Sequence, residues 1–284
     1  MVKEWKKSFY LNNKCFKSKT FKDNDKLKLL LKLARTNKYS APQLSKKFNC
    51  TRDTVIRVLY THGIVLNNKG RFPKKYYCNE NFFKTFNPAS AYWAGFIAAD
   101  GCIHVNGNQK VLQVALNSDD ESHIIKFKKI LKTNARISFN STTNSARLCL
   151  YSNKLCDSLI DIGITPRKSL TIQKVNVPKK LMSNFVRGVF DGDGSLSGNK
   201  VTHIQVMIAG NKPFLGWIQK NLVENCGLNN VKLYKLFLSK AYKIQYTGVQ
   251  SLKILEYLYK DSSSSIRLER KYKKFLQFKH KFLK

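Results

Sequence analysis

Two short stretches of this chain follow one design. Ser90 to Gly101 reads SAYWAGFIAADG, and Asn184 to Gly194 reads NFVRGVFDGDG. Each is an apolar helix candidate with small residues about one turn apart: Ala91, Gly95 and Ala98 in the first, Gly188 and Gly192 in the second. Helices approach closer than the usual ~8–10 Å only where the facing side chains are nearly absent, so the spacing predicts that two backbones touch. Both stretches end in Asp-Gly, with Asp193 lying 93 residues after Asp100. Helices crossed at the small residues bring these two acids together at one end. The first stretch is too short to span a membrane and predicts a buried core helix. A calcium loop beginning at Asp191 would need glycine at its sixth position and a carboxylate at its twelfth, where this chain has Leu196 and Thr202.

The duplication resembles the motif of the LAGLIDADG homing endonucleases. Trp93 to Gly101 (WAGFIAADG) agrees with the family name at Ala94, Gly95, Ile97, Ala99, Asp100 and Gly101. Val186 to Gly194 (VRGVFDGDG) agrees at Gly188, Asp191, Asp193 and Gly194. Asp191 has Ala98 as its counterpart, so that acid is not required in both halves. The resemblance covers residues from about 75 to 284. It implies a metal-dependent DNA endonuclease in which Asp100 and Asp193 hold Mg²⁺, two or three ions at the motif-helix ends, helped by the carbonyls of Ala99 and Gly192. The family's active-site lysines correspond to Lys168 and Lys271, each in an Arg-Lys pair past its unit's last helix. A terminal helix over 265–283, with Leu268, Tyr272, Phe275, Leu276 and Phe282 on one stripe, is expected to dock Lys271.

Periodicity after each motif supports the same plan. Strands are predicted at 102–105 and 110–117, a helix at 119–131, strands near 136–140 and 146–151, and a helix at 154–162. The second half repeats this, with strands at 195–196, 201–208, 231–238 and 242–247 and helices at 213–225 and 252–259. The predicted fold is α+β, a pseudo-twofold duplicated αββαββα saddle preceded by a small all-α helix-turn-helix domain. Alternation assigns His104, Gln113, Arg136, Ser138, Asn140 and Arg147 to the open sheet face of the first half, and His203, Gln205, Lys243 and Gln245 to that of the second. Such residues read base edges and phosphates.

Residues 1–70 are expected to form a basic arm followed by a helix-turn-helix domain, 71–89 a linker, 90–180 the first half and 181–284 the second. Leu27, Leu30, Leu31 and Ala34 mark one helix face. Ser40 and Thr51 stand where helix N-caps belong, on either side of a turn at Asn49-Cys50. Ala41-x-x-Leu44 and Thr51-x-x-Thr54-Val55-x-Arg57 resemble resolvase-type helix-turn-helix modules, and Arg52, Thr54 and Arg57 are the DNA-contact candidates there.

Lys+Arg number 52 against 17 Asp+Glu, a formal net charge of +35, while 43% of residues are hydrophobic. A folded polycation expects a polyanion. No apolar run approaches the ~18 residues of a membrane span, so double-stranded DNA is the expected partner, bound by a monomer. Seven dispersed cysteines without a C-x-x-C pair and a charged N-terminus lacking an apolar run point away from secretion. A bacterial or phage cytoplasm or an organellar matrix is expected. Two alternatives on the same scaffold are a maturase binding intron RNA and a DNA-binding transcription regulator with an inert nuclease site.

Overall fold

The computed structural model describes residues 19–36, 38–66, 76–198, 203–237 and 239–282. The basic arm to residue 18, residues 67–75 of the expected linker, positions 201–202 and 238 of the expected strands, the Phe282 side chain and the last two residues lie outside these. The chain divides into two compact units, Met1–Lys75 and Tyr76–Lys284.

The described residues of the first unit form a cluster of three α-helices. Helix α1 (Asn24–Arg35) is capped by Asp23, α2 (Ala41–Lys47) opens on a Ser40/Gln43 capping box, and α3 (Arg52–Thr61) on Thr51, whose hydroxyl accepts from the Thr54 N–H. Each cap satisfies an amide that the helix start leaves unpaired. Between α2 and α3 the chain turns at Asn49, which adopts positive φ, a conformation asparagine tolerates. Leu30, Ala34, Ala41, Leu44, Val55, Val58 and Leu59 form the core, joined by Phe21, whose ring meets that of Phe48 at 5.5 Å.

In the second unit the first αββαββα set comprises α4 (Pro88–Asp100), β1 (Gly101–Asn106), β2 (Gln109–Asn117), α5 (Glu121–Ile130), β3 (Ile137–Asn140), β4 (Ser145–Tyr151) and α6 (Asn153–Asp161). The second comprises α7 (Met182–Asp193), β5 (Gly194–Ser197), β6 (Gln205–Gly210), α8 (Lys212–Cys226), β7 (Tyr234–Lys235), β8 (Tyr242–Thr247) and α9 (Gly248–Tyr259), followed by α10 (Glu269–Phe282). The two four-stranded antiparallel sheets have matching orders, β1-β2-β4-β3 and β5-β6-β8-β7. The duplicated αββαββα expectation therefore holds.

Several boundaries differ, each for a local reason. The expected linker ends early: Tyr76 to Asn87 belongs to the second unit, anchored by buried Phe82 and Phe83. Pro88, within the expected linker, starts α4 behind an Asn87/Ser90 capping box, where its missing N–H costs nothing. Strand β7 is two residues long, far shorter than the apolar run over 231–238 suggests. On α10 the inward stripe is Phe275 and Phe278, while Leu276 faces solvent at 44% exposure.

Helices α4 and α7 form the spine. Residues 90–98 of α4 are all buried, the pattern of a helix enclosed on every side. Where it crosses α7, a Cβ on Gly95 would lie 2.0 Å from the Phe185 carbonyl oxygen, and one on Gly188 2.0 Å from that of Tyr92. The backbones touch, as the small-residue spacing predicts. The buried sides of the sheets, Ile103, Leu112, Val114, Leu148 and Leu150 in one and Leu196, Val206, Ile208 and Ile244 in the other, join the same core.

Candidate active site

The crossing of α4 and α7 brings their C-terminal ends together. Glycine at 192 makes the approach possible: a Cβ there would fall 2.4 Å from Ala99 Cβ and 3.2 Å from Asp100 Oδ2. Asp100 and Asp193 stand at this shared end, open to solvent yet ringed by protein. Burial, and then the neighbouring Asp100 charge, push the Asp193 carboxyl up to about 6. Burial also raises Asp100, against the pull of Lys271 and Lys168. Even beside these lysines the two carboxyls stay raised, so a further cation between them would be favoured.

Lys168 and Lys271, the two lysines picked out by their Arg-Lys context, are both buried, at 6% and 5% exposure. Burial lowers both ammonium groups, Lys271 to about 8. Lys168 begins a 3₁₀ turn, Lys168–Leu170, behind Arg167 in the left-handed region. The Lys168 Nζ donates to the Ala99 carbonyl at 3.0 Å, and its strongest counter-charge is Asp193, from the opposite half. A cavity of about 440 Å³ lies beside it, lined by Lys168, Asp193, Ala99, Asn211 and Lys240 among others. Lys271 Nζ donates instead to three carbonyls, Phe190 at 2.6 Å, Asp191 at 2.8 Å and Gly194 at 2.6 Å.

Each lysine-bearing segment is braced by the other half. Asn211, the N-cap of α8, donates its amide to the Ile172 and Ser169 carbonyls behind Lys168. Ahead of Lys271, Lys126 of α5 donates to the Arg267 carbonyl, and Arg270 pairs with Asp120.

Sequence reasoning missed a buried polar network beneath these acids. Asp191 is 2% exposed. It accepts from the Tyr92 hydroxyl at 2.8 Å, the Tyr259 hydroxyl at 3.1 Å and the Leu268 N–H at 2.7 Å. His123 Nε2 shares a 2.9 Å bond with Tyr92, and burial holds its imidazole down at about 3, so it is neutral. Arg187 donates to the Ile266 and Leu258 carbonyls and to Asn184, with its guanidinium 5.5 Å from the Tyr92 ring centroid. The signal in the sequence is Arg187 and Asp191, charged residues one turn apart on a helix expected to be buried.

The strand registers agree with the predicted faces. Gln113 pairs with Cys149, and Ser138 with Arg147, whereas Leu112 pairs with Leu150 and Val114 with Leu148 on the core side. His104, Gln113, Ser138, Asn140 and Arg147 therefore share the open face of the first sheet. Gln205, Lys243 and Gln245 share that of the second, where Lys243 Nζ donates to Gln245 at 2.9 Å. Arg136 and His203 are exposed but lie just before β3 and β6 rather than in them. Arg147 Nε is buried with no partner among the described residues. In the first unit Arg52 is exposed, while Thr54 and Arg57 are half-buried, and the Thr54 hydroxyl meets that of Thr51 at 2.9 Å in the helix cap.

No family model and no curated protein matches the sequence. Among solved structures, the chain is similar to the LAGLIDADG homing endonuclease I-LtrWI bound to target DNA, with 12% identity, 72% of this chain and 92% of that one covered, and a TM-score of 0.47. It is also similar to mesophilic variants of the homing endonuclease I-DmoI, with 16% identity, 64% and 98% coverage and a TM-score of 0.46. The N-terminal LAGLIDADG domain of DUF199/WhiA is a third, with 18% identity, 64% and 89% coverage and a TM-score of 0.43. The saddle's own topology, two αββαββα units crossed at their motif helices, makes the fold of residues 76–284 a LAGLIDADG fold.

Proposed function

We propose that the chain is a monomeric DNA endonuclease that uses Mg²⁺ to make a staggered double-strand break in a long, asymmetric site. The observation that carries this reading is the pairing of Asp100 and Asp193 at the joined ends of α4 and α7, directly before the first strand of each sheet. The fit to a divalent cation rests on the donors: two neighbouring carboxylates, one raised by burial and then by the charge of the other. Mg²⁺ keeps several waters and takes only one or two carboxylates. Among the described residues no group of three or more His, Cys, Asp or Glu gathers into a larger cluster, which that coordination does not require. Asp100 and Asp193 would hold the metal, with the carbonyls of Ala99 and Gly192 as further oxygens. The Ala99 carbonyl has two lone pairs, so its bond to Lys168 leaves one available.

Bound metal would supply a polarised phosphate oxygen and a water of lowered pKa. The protein's own residues do the rest. Lys168, desolvated and facing Asp193, supplies positive charge where a phosphodiester gains negative charge. Gln113, Arg147, Gln205 and Gln245 on the open faces offer hydrogen bonds to base edges. The net charge of +35 draws the duplex in and binds its phosphates. Arg52, Thr54 and Arg57 of the first unit extend the interface to flanking DNA.

A randomised duplex library incubated with purified protein, with and without Mg²⁺, tests the reading. Recovery of one family of sequences with staggered ends, only with metal and not from Asp100→Asn protein, is the expected result. A library left uncut under both conditions overturns it.

A further inference from the structure

The two lysines of the site are not equivalent. An ammonium has three protons to donate and no acceptor capacity. Lys271 spends all three on backbone, at Phe190, Asp191 and Gly194. These carbonyls flank Asp193 on either side. Two belong to the last turn of α7, where a helix runs out of N–H donors and the Phe190 carbonyl also accepts the Gly194 N–H, and the third belongs to the first residue of β5. The Lys271 Nζ also lies over the Phe190 ring, 5.0 Å from its centroid. The Lys168 ammonium has one hydrogen bond among the described residues, to Ala99, and Lys168 lines the cavity beside Asp193, whereas Lys271 does not line it.

From this donor count we infer that Lys271 is a positioning residue and Lys168 the lysine that meets substrate. Lys271 locks the helix-to-strand junction at which Asp193 projects, and so fixes that carboxylate for the metal. Lys168 keeps two protons for a phosphate oxygen or a water in the cavity. The two halves differ because Lys271 reaches in from α10 to three carbonyls at the end of α7, whereas Lys168 reaches one at the end of α4. Asp191 supports the clamp. It accepts the Leu268 N–H just before α10 and so holds the start of the helix that carries Lys271. This inference rests on the nuclease reading for what Asp193 and Lys168 do, but the clamp itself does not.

Two isosteric variants, Lys271→Met and Lys168→Met, separate the roles. Lys271→Met removes three hydrogen bonds from the α7–β5 junction, and the melting temperature of the metal-free protein is expected to fall by about 5 °C or more. Lys168→Met is expected to move it by less than about 2 °C. On DNA recovered from the library, Lys271→Met should raise the Mg²⁺ concentration for half-maximal cleavage about tenfold or more and leave the rate at saturating Mg²⁺ within about threefold. Lys168→Met should cut the saturated rate by about 100-fold or more, with little change in the Mg²⁺ requirement. A merely structural lysine would lower the melting point without moving the Mg²⁺ requirement. The inference is overturned if Lys271→Met leaves the melting point unchanged and lowers the saturated rate as far as Lys168→Met does. If the wild-type protein cuts no sequence, the nuclease reading falls, and the melting comparison alone upholds or overturns the clamp.

Discussion

Gly95 and Gly188 are in backbone contact across the α4–α7 crossing: a Cβ added to Gly188 would lie 3.0 Å from the Gly95 carbonyl carbon and 2.0 Å from the Tyr92 oxygen. Atoms of a packed backbone cannot yield as a side-chain tip can, so Gly95→Ala and Gly188→Ala should each cost about 3 kcal/mol or more, beyond ordinary overpacking. Gly107→Ala, at φ +58° in an open hairpin turn, should cost only about 1–2 kcal/mol. Urea unfolding midpoints of the three variants compare these costs. Equal losses at all three sites would refute the close crossing.

Asp193 carries a destabilising charge in the absence of metal. Its carboxyl is raised to about 6 by burial and then by Asp100, so its ionised form weighs against the fold above that pH, and the penalty disappears as pH falls toward the ordinary value. Asp193→Asn should therefore raise the melting temperature of the metal-free protein at pH 7 while abolishing double-strand cleavage and retaining DNA binding. A variant that melts lower, or that still cuts both strands at the wild-type rate in Mg²⁺, would contradict this.

His123 adds a pH dependence of opposite sign. The unfolded chain protonates this histidine below about 6.5, whereas the folded protein resists until about 3. The stability it contributes is complete above pH 6.5 and is lost as pH falls through that window, at up to about 1.4 kcal/mol per pH unit. His123→Gln should flatten the acid limb of stability against pH relative to wild type. Asp193 is present in both proteins, so its opposing contribution cancels in the comparison. Parallel curves between pH 6.5 and 4 would show that the imidazole is not held neutral.

The first unit should contribute salt-sensitive affinity. Neutralising Arg52 and Arg57 together, as Arg→Gln in the full chain, should weaken DNA binding without moving the cut. It should also flatten the slope of log affinity against log salt by about 0.9 for each phosphate left without its arginine. Fluorescence anisotropy over a salt series measures both. An unchanged slope would remove this unit from the DNA interface.

The scaffold is largely legible in the sequence because its signals are local and duplicated. Small residues one turn apart, a terminal acid and alternation on the strands yield the crossing, the Asp100–Asp193 pairing and the open-face residues Gln113, Arg147, Gln205 and Gln245. What escapes depends on long-range packing. Tyr92 lies 99 residues from Asp191, and Tyr259 lies 68 from it, so periodicity reads both tyrosines as core. Lys271 is marked by its Arg-Lys context, but how its protons are shared among three carbonyls is a property of the folded α7–β5 junction. The extent of β7 is misjudged from sequence because Val231 and Leu233 pack against the core without entering the ladder.

The Tyr92–Asp191 bond also bears on ancestry. The 93-residue offset sets Phe185 at the place of Tyr92 and Ala98 at the place of Asp191. A second half paired with its own copy would set each Asp191 against a phenylalanine, leaving it the Tyr259 and Leu268 donors but costing it the Tyr92 bond, about 1 kcal/mol or more per site. A first half paired with itself would set each Tyr92 hydroxyl against an alanine. Only the mixed pairing makes the Tyr92–Asp191 bond. Whatever symmetric homodimer preceded such a duplication, these two substitutions act as a ratchet: once donor and acceptor had settled on different halves, neither half could return to life as a homodimer without giving up its partner.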